Sequence, residues 1–245
     1  MKRSYVLPAA SFSSALMAVA LVCATASAQP IEVPAASAEP GREPSPAFWQ
    51  AQIGARTTFV TDAGFDLFAA DNALVQLSVA ASRTLLVWER FSFAPGLSWD
   101  FGARSSTIRG DPSSLASHRL AVQLEGRYHL LPWLYGLVRV CPGAAHQSVE
   151  VQDSLAPAAL RDTQWAPSAD FSLGGAVLLG PQWSRSASAV RFWAQAEGGY
   201  GWAGRQHLVL SPDLASDDTR RVGTLDLGDL ALRGGFFRIA VFTTL

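Results

Sequence analysis

One short segment of the sequence holds a histidine, a serine and an acid at alternate positions. The stretch His146-Gln147-Ser148 is followed two residues later by Glu150. If the segment is a β-strand, residues two apart share a face, so the three side chains point the same way. A histidine can act as the base that activates a serine hydroxyl, and at a lipid surface that chemistry would cleave acyl esters. His146 as base and Ser148 as nucleophile are the candidate catalytic residues.

A second interpretation of the same segment needs no catalysis. A strand that leaves a bilayer becomes polar, and a histidine and a serine are ordinary residues at that point. The other histidines, His118, His129 and His207, are scattered over predicted loops and strand ends. They form no metal-ligand set, so neither a metal nor a cofactor is expected.

Alternation of large apolar residues with small or polar ones is the dominant pattern of the chain. From Phe91 to Phe101 every second residue is large and apolar or is proline, which is typical of a strand with one apolar face. The pattern returns in about eight segments, typical of a membrane-spanning β-barrel. The predicted strands cover 48–60, 73–83, 91–104, 119–130, 134–149, 165–179, 190–202 and 237–245.

The connections between these strands alternate in length. Long polar connections are predicted at 61–72, 105–118, 151–164 and 204–230. Short ones are predicted at 84–89, 131–133 and 180–189. Short periplasmic turns and longer outer loops alternate in this way in outer-membrane barrels, so an even number of strands and periplasmic termini are expected.

A soluble ligand-carrier barrel would show the same alternation with its apolar face turned inward. The polar faces favour the opposite arrangement, because they combine glycines with charges of both signs, as a crowded lumen requires. A lumen ionic network is therefore predicted. Its expected members are Arg56, Asp100, Glu125, Arg127, Arg139, Asp170, Arg191, Glu197 and Arg238. Side chains fill the bore of an eight-stranded barrel, so a sizeable channel is not expected.

Tryptophans gather near the predicted strand ends, which predicts two aromatic belts at the membrane surfaces. The belt residues are Trp49, Trp99, Trp133, Trp165 and Trp202. Composition agrees with a membrane barrel, since 49% of residues are hydrophobic and 16% charged. After the first segment of the chain, no window approaches the roughly 18 apolar residues of a spanning helix.

The N-terminal segment has the features of a cleavable export signal. Lys2 and Arg3 precede an apolar stretch, and the small residues Ala26-Ser27-Ala28 mark a cleavage site. The expected organisation is a signal peptide at 1–28, a proline- and alanine-rich periplasmic tether at 29–46 and a barrel at 47–245. The formal net charge of −1 provides no basic field for nucleic acid.

With these features the chain resembles the small eight-stranded bacterial outer-membrane barrel proteins. Such proteins end in alternating apolar residues and a final aromatic; here Phe237, Ile239 and Val241 match and Leu245 departs from the pattern. The resemblance implies an all-β, antiparallel up-and-down transmembrane barrel in the cell outer membrane. It implies outer-membrane lipids, including lipopolysaccharide, and the barrel-assembly machinery as partners of a monomer.

The spacing of His146 and Ser148 also loosely resembles the lipid A deacylases. These are eight-stranded barrels with a lipid-facing histidine base and a serine nucleophile two residues apart. Glu150 does not match the acidic residue of that family by position. The function expected from the sequence is an integral outer-membrane barrel with a filled lumen and a non-catalytic envelope or surface role. A lipid A-type acyl esterase and a narrow solute channel are the alternatives.

Overall fold

A computed structural model describes residues 49–69, 71–108, 110–152, 159–179, 190–212 and 224–244. The predicted signal peptide, the tether and Leu245 lie outside the described residues. The described strands are β1 (Trp49–Val60), β2 (Ala73–Arg83), β3 (Leu86–Trp88), β4 (Phe91–Ile108), β5 (Asp111–Leu131), β6 (Leu134–Val151), β7 (Leu160–Leu179), β8 (Arg191–Ala203), β9 (Gln206–Pro212), β10 (Leu225–Leu230) and β11 (Gly234–Thr244). A 3₁₀ helix, Ala63–Leu67, lies between β1 and β2.

Eight of these strands form a closed antiparallel barrel in which neighbours in sequence pair with one another. The order is β1, β2, β4, β5, β6, β7, β8 and β11, and β11 closes the barrel by pairing with β1 from Gly234 to Thr244. The predicted up-and-down barrel is thus confirmed. β1 and β11 approach each other closely where the barrel closes. A Cβ atom on Gly54 would lie 2.3 Å from the carbonyl oxygen of Ile239.

The three remaining strands are parts of the barrel hairpins. β3 pairs with the start of β4 and continues β2 after a break at Thr84 and Leu85. β9 follows β8 and pairs with the start of β7, while β10 pairs with β9 and leads back to β11. We call the end of the barrel that carries Trp49 and Thr244 the base, and the opposite end the rim.

The predicted loop boundaries at the rim were wrong in three places. β4 and β5 pair as far as Ile108 and Asp111, so most of 105–118 is strand. β6 and β7 pair as far as Val151 and Leu160, and 204–230 contains β9 and β10. Apolar alternation fades in these segments because their outward faces are polar, and the sequence pattern therefore resembles that of a loop. The 3₁₀ helix within 61–72 was not predicted.

Burial follows the inside-out arrangement. Large apolar side chains on the outer face are half exposed, as for Leu120 and Ile239 at 56% each, whereas Arg139 and Arg238 are buried inside. Since a soluble barrel would bury its apolar face, this distribution is that of a barrel immersed in lipid. Among the described residues, no helix has the length and apolarity needed to cross a membrane.

Apolar side chains also pack inside the barrel, near each end. The rim cluster comprises Val60, Phe65, Phe68, Ala69, Leu74, Leu115, Val149, Val151, Leu160, Leu208, Leu210 and Leu230. The base cluster comprises Tyr135, Leu137, Ala176, Trp193 and Phe242. The 3₁₀ helix supplies Phe65 to the rim cluster, and Asp62 caps that helix by accepting a hydrogen bond from the Gly64 N–H. The lumen therefore has a polar centre between two apolar layers.

Candidate functional site: the lumen and the rim girdle

Two aspartates on opposite strands gather three arginines in the rim half of the lumen. Arg56 Nη1 lies 3.0 Å from an oxygen of Asp100 and 2.6 Å from one of Asp170. Arg119 Nη1 lies 3.0 Å and 2.5 Å from the same two oxygens. Arg238 donates to both oxygens of Asp100 at 3.2 and 3.3 Å. Asp100 thus accepts from three guanidinium groups, and almost none of its side chain is exposed.

Two glutamates organise the base half of the lumen. Glu125 and Arg139 are direct cross-strand partners and form an ion pair. Arg127 Nε donates to the other oxygen of Glu125 at 2.5 Å, and its guanidinium carbon lies 5.4 Å from the ring centre of Tyr135. Arg139 also donates to Glu197 at 2.8 Å.

Glu197 joins the two halves, because it accepts from Arg238 at 2.7 Å as well as from Arg139. The result is one connected network, to which every barrel strand except β2 contributes a charge. Neutral side chains complete it: Ser172 donates to Glu197 at 3.1 Å, and Gln123 donates to Glu125 at 3.1 Å. Buried charges are tolerated when they are paired and hydrogen-bonded in this way.

The network differs in two residues from the predicted set. Arg119 was missed, although its inward position on a predicted strand was visible, because no partner for it could be identified along the chain. Arg191 was predicted as a member but lies at the base, opposite Thr244. In the described part of the chain no ion pair joins Arg191 to the network. The other predicted members all lie in the network.

Three of the five residues of the base cluster are aromatic. The sequence analysis did not predict this cluster. Trp193 is buried in the lumen, with its ring centre 5.2 Å from that of Tyr135 and 5.9 Å from that of Phe242. Two of these rings carry polar atoms, the Tyr135 hydroxyl and the Trp193 Nε1, that make no hydrogen bond to another described residue. Between the network and the rim cluster, Arg56, Arg119 and Asp170 border a small cavity with room for a water molecule.

The outer face near the rim carries a row of rings, which we call the rim girdle. Its members are Trp99, Phe101, His118, His146 and Trp165. Three of them lie side by side on β5, β6 and β7, since His146 pairs with both His118 and Trp165. Ring centres are 6.3 Å apart for the two histidines and 4.8 Å apart for His146 and Trp165.

The candidate catalytic residues lie in and just beyond this girdle. His146 and Ser148 face outward, as predicted for one strand face, and Ser148 pairs with Thr163 across β7. In the described part of the chain, no hydrogen bond joins the imidazole to the hydroxyl. Glu150 lies 3.2 Å from Arg161, with which it forms an exposed ion pair. The three side chains therefore share a face without forming a hydrogen-bonded relay.

The predicted belt tryptophans lie on the outer face at two levels. Trp49 and Trp133 lie at the base, whereas Trp165 and Trp202 lie toward the rim and are exposed by 67% and 45%. Trp99 belongs to the rim girdle. Such rings suit the boundary between hydrocarbon and water, where an apolar body and a polar tip are both accommodated.

Exposed charges beyond the girdle form a second, separate polar group. His207 Nδ1 lies 2.9 Å from Asp229, and its Nε2 lies 3.4 Å from Asp226. The hydrogen bond to Asp229 and the charge of Asp226 raise the pKa of His207 above its usual value. Near the 3₁₀ helix, the Ala73 N–H and Arg104 lower the pKa of Asp71. The described residues contain no cluster of three or more metal-binding side chains.

Comparison with solved structures finds an attachment protein, an outer-membrane protease and the β domain of an autotransporter. Ail, the attachment invasion locus protein of Yersinia pestis, matches in a complex with the heparin analogue sucrose octasulfate with a TM-score of 0.46 and 7% identity, over 82% of this chain and 100% of that chain. The outer-membrane protease OmpT of Escherichia coli matches with a TM-score of 0.48 and 9% identity, over 82% and 97%. The β domain of the Bordetella autotransporter BrkA matches with 0.42 and 10%, over 82% and 100%.

Neither a known protein family nor a curated protein matches the sequence. The chain has the fold of an outer-membrane β-barrel, closed by eight strands, with an apolar outer face and a charged lumen. That description rests on the geometry of the chain itself.

Proposed function

We propose that the protein is an integral outer-membrane barrel whose lumen is closed to solutes, and that it acts in envelope integrity or surface contact without catalysis. The filled lumen is the observation that carries the proposal. An apolar cluster lies at each end of the lumen, and a network of paired charges lies between the two clusters. A conducting pore of this strand number would need those side chains to move apart.

The rim extensions support a role at the cell surface. β4 to β7 continue past the girdle, and their outward residues there are polar, including Ser105, Thr107 and Arg161. We expect these hairpins to stand outside the bilayer, where they would contact lipopolysaccharide head groups or other surface molecules. Residues 1–28 would direct export, the base would face the periplasm, and the assembly machinery would insert the barrel as a monomer.

Conductance across planar lipid bilayers tests the closed lumen. Purified protein should insert without discrete current steps, and a shift in electrophoretic mobility on heating should verify that the inserted barrel is folded. The matched variant is Arg139→Ala combined with Glu197→Ala, which removes one buried pair and opens the middle of the lumen. Regular unit steps from the unmodified protein would contradict the proposal.

The esterase alternative is tested by mass spectrometry of envelope lipids. Cells that lack the protein, cells that express it and cells that express His146→Ala should have the same acyl composition. Loss of one acyl chain that requires both the protein and His146 would contradict the non-catalytic proposal. We expect no change in acyl composition, because Glu150 forms an ion pair with Arg161 and the His146 ring packs against Trp165.

A further inference from the structure

The four histidines of the chain fall into two kinds of environment. His129 has a ring nitrogen 2.9 Å from the Ser92 hydroxyl, and His207 contacts two carboxylates. His118 and His146 instead face each other across β5 and β6, and neither makes a hydrogen bond to another described residue. Two imidazoles therefore lie side by side on the outer face without a described hydrogen-bond partner.

The geometry of this pair suits a shared ligand. His118 and His146 are direct cross-strand partners, an arrangement that holds Cβ atoms about 4.5–5.5 Å apart. Their ring centres are 6.3 Å apart. A metal ion bound by two imidazoles has metal–nitrogen bonds of about 2.0–2.1 Å, which places the nitrogens about 4 Å apart or closer. The spacing of the two rings on neighbouring strands is of the same order as that distance.

Neighbouring rings hold the pair in place from both sides. The Trp99 ring stacks with His118 at 6.0 Å with an interplanar angle of 21°, and the Trp165 ring lies 4.8 Å from His146. These contacts restrict the rotamers of the two histidines before a ligand binds. Binding therefore costs less side-chain entropy. Both histidines are partly exposed, so an ion from the aqueous side of the rim can reach them.

We propose that His118 and His146 together bind one divalent transition-metal ion of the Zn²⁺, Ni²⁺ or Cu²⁺ type at the rim girdle. Neutral imidazole nitrogens are ligands for these ions, whereas Ca²⁺ and Mg²⁺ require oxygen ligands that the pair does not offer. Two protein ligands leave the remaining coordination positions to water or to a lipid oxygen. The site lies outside the lumen and does not depend on whether the lumen conducts.

Copper binding to untagged, folded protein in detergent is the test. Electron paramagnetic resonance of added Cu²⁺ should show two coordinating imidazole nitrogens, and isothermal titration should give one ion per chain. His118→Gln or His146→Gln should weaken binding at least tenfold and leave a spectrum with at most one imidazole. Cu²⁺ should also quench the fluorescence of Trp165, and Trp165→Phe should remove that part of the quenching.

His207→Gln is the matched control, because it makes the same change at the histidine that contacts Asp226 and Asp229. It should change the affinity by less than twofold. Binding that is lost in His207→Gln but kept in His118→Gln would overturn the proposal, since the ion would then occupy the exposed acidic group. A spectrum without imidazole nitrogens would also overturn it. Heat-modified mobility should verify that every variant is folded.

Discussion

At the scale of single residues, the lumen depends on carboxylates that each satisfy several arginines. Asp100 accepts from Arg56, Arg119 and Arg238 and is the one carboxylate in the described network that contacts all three. A buried charge that loses its partner keeps its desolvation cost, so removal of one partner is more damaging than removal of a complete pair. The shared carboxylates are therefore the residues at which the network is most sensitive.

Replacement of Asp100 by Asn should lower the free energy of unfolding by about 3–5 kcal/mol, because three buried guanidinium groups lose a common charge. Urea unfolding of the protein in lipid vesicles measures this change. Glu150→Gln is the control, since Glu150 forms an exposed pair with Arg161 and such pairs contribute about 0–1 kcal/mol. Equal effects of the two substitutions would show that the buried network does not stabilise the barrel.

His207 provides a pH-dependent contact outside the membrane-spanning part of the chain. Because Asp229 raises the pKa of His207, protonation favours the folded β9–β10 hairpin. This contribution is fully present below the unfolded value of about 6.5 and is lost as the pH rises through the folded pKa. Titration by NMR should give a pKa above 6.5, and Asp229→Asn should lower it. An unchanged pKa in that variant would contradict the assignment.

Individual positions also differ in whether their lumen contacts could be predicted from the sequence. Alternation identified which residues face the lumen, and Glu125 and Arg139 could be paired across the tight turn that joins their strands. Arg119 has partners on β4 and β7, and its contact with Asp170 depends on barrel closure, which no local pattern encodes. Trp193 was overlooked because an inward tryptophan at a strand end has the same sequence context as a belt tryptophan.

At the scale of elements, the strands extend well beyond the apolar band of the outer face. Tyr128 is an exposed ring on β5 near the base. Between Tyr128 and His118 of the rim girdle, β5 covers roughly 25 Å along the barrel axis at about 3.3 Å per residue and a tilt near 40°. The part of β5 from Asp111 to Ser117 then continues beyond the girdle. Sequence patterns located the membrane-spanning strands well because lipid imposes alternation there. Beyond the girdle the outward residues are polar, so the alternation ends.

The 3₁₀ helix closes the rim by inserting Phe65, whose side chain is completely buried. Phe65→Ala should remove apolar contacts that are worth about 3–5 kcal/mol in protein cores and should loosen the 61–72 segment. Limited proteolysis should then cut this segment faster, while the membrane-spanning strands stay protected. Asp66→Ala changes an exposed neighbour and should leave the cleavage rate unchanged. Equal rates in the two variants would show that Phe65 does not secure the rim.

At the scale of the whole molecule, the layers of the lumen and the apolar outer face have a common cause. Charges that bilayer hydrocarbon excludes are collected inside, where seven strands contribute partners, and apolar side chains close the two ends. The inside-out distribution could be predicted because it follows from the residue types on each strand face. The apolar end layers could not, since they combine residues from strands and a helix that are distant in the sequence.

A depth profile along one strand tests this arrangement as a whole. Val122 and Ser114 both face outward on β5, but Val122 lies between the two ring levels and Ser114 lies beyond the girdle. Val122→Arg should destabilise the barrel in lipid vesicles by about 2–4 kcal/mol, because the charge would lie near the middle of the hydrocarbon. Ser114→Arg should cost about 0–1 kcal/mol, because water already reaches that position. A soluble barrel would tolerate an arginine equally at both sites, so equal and small effects would contradict immersion in a membrane.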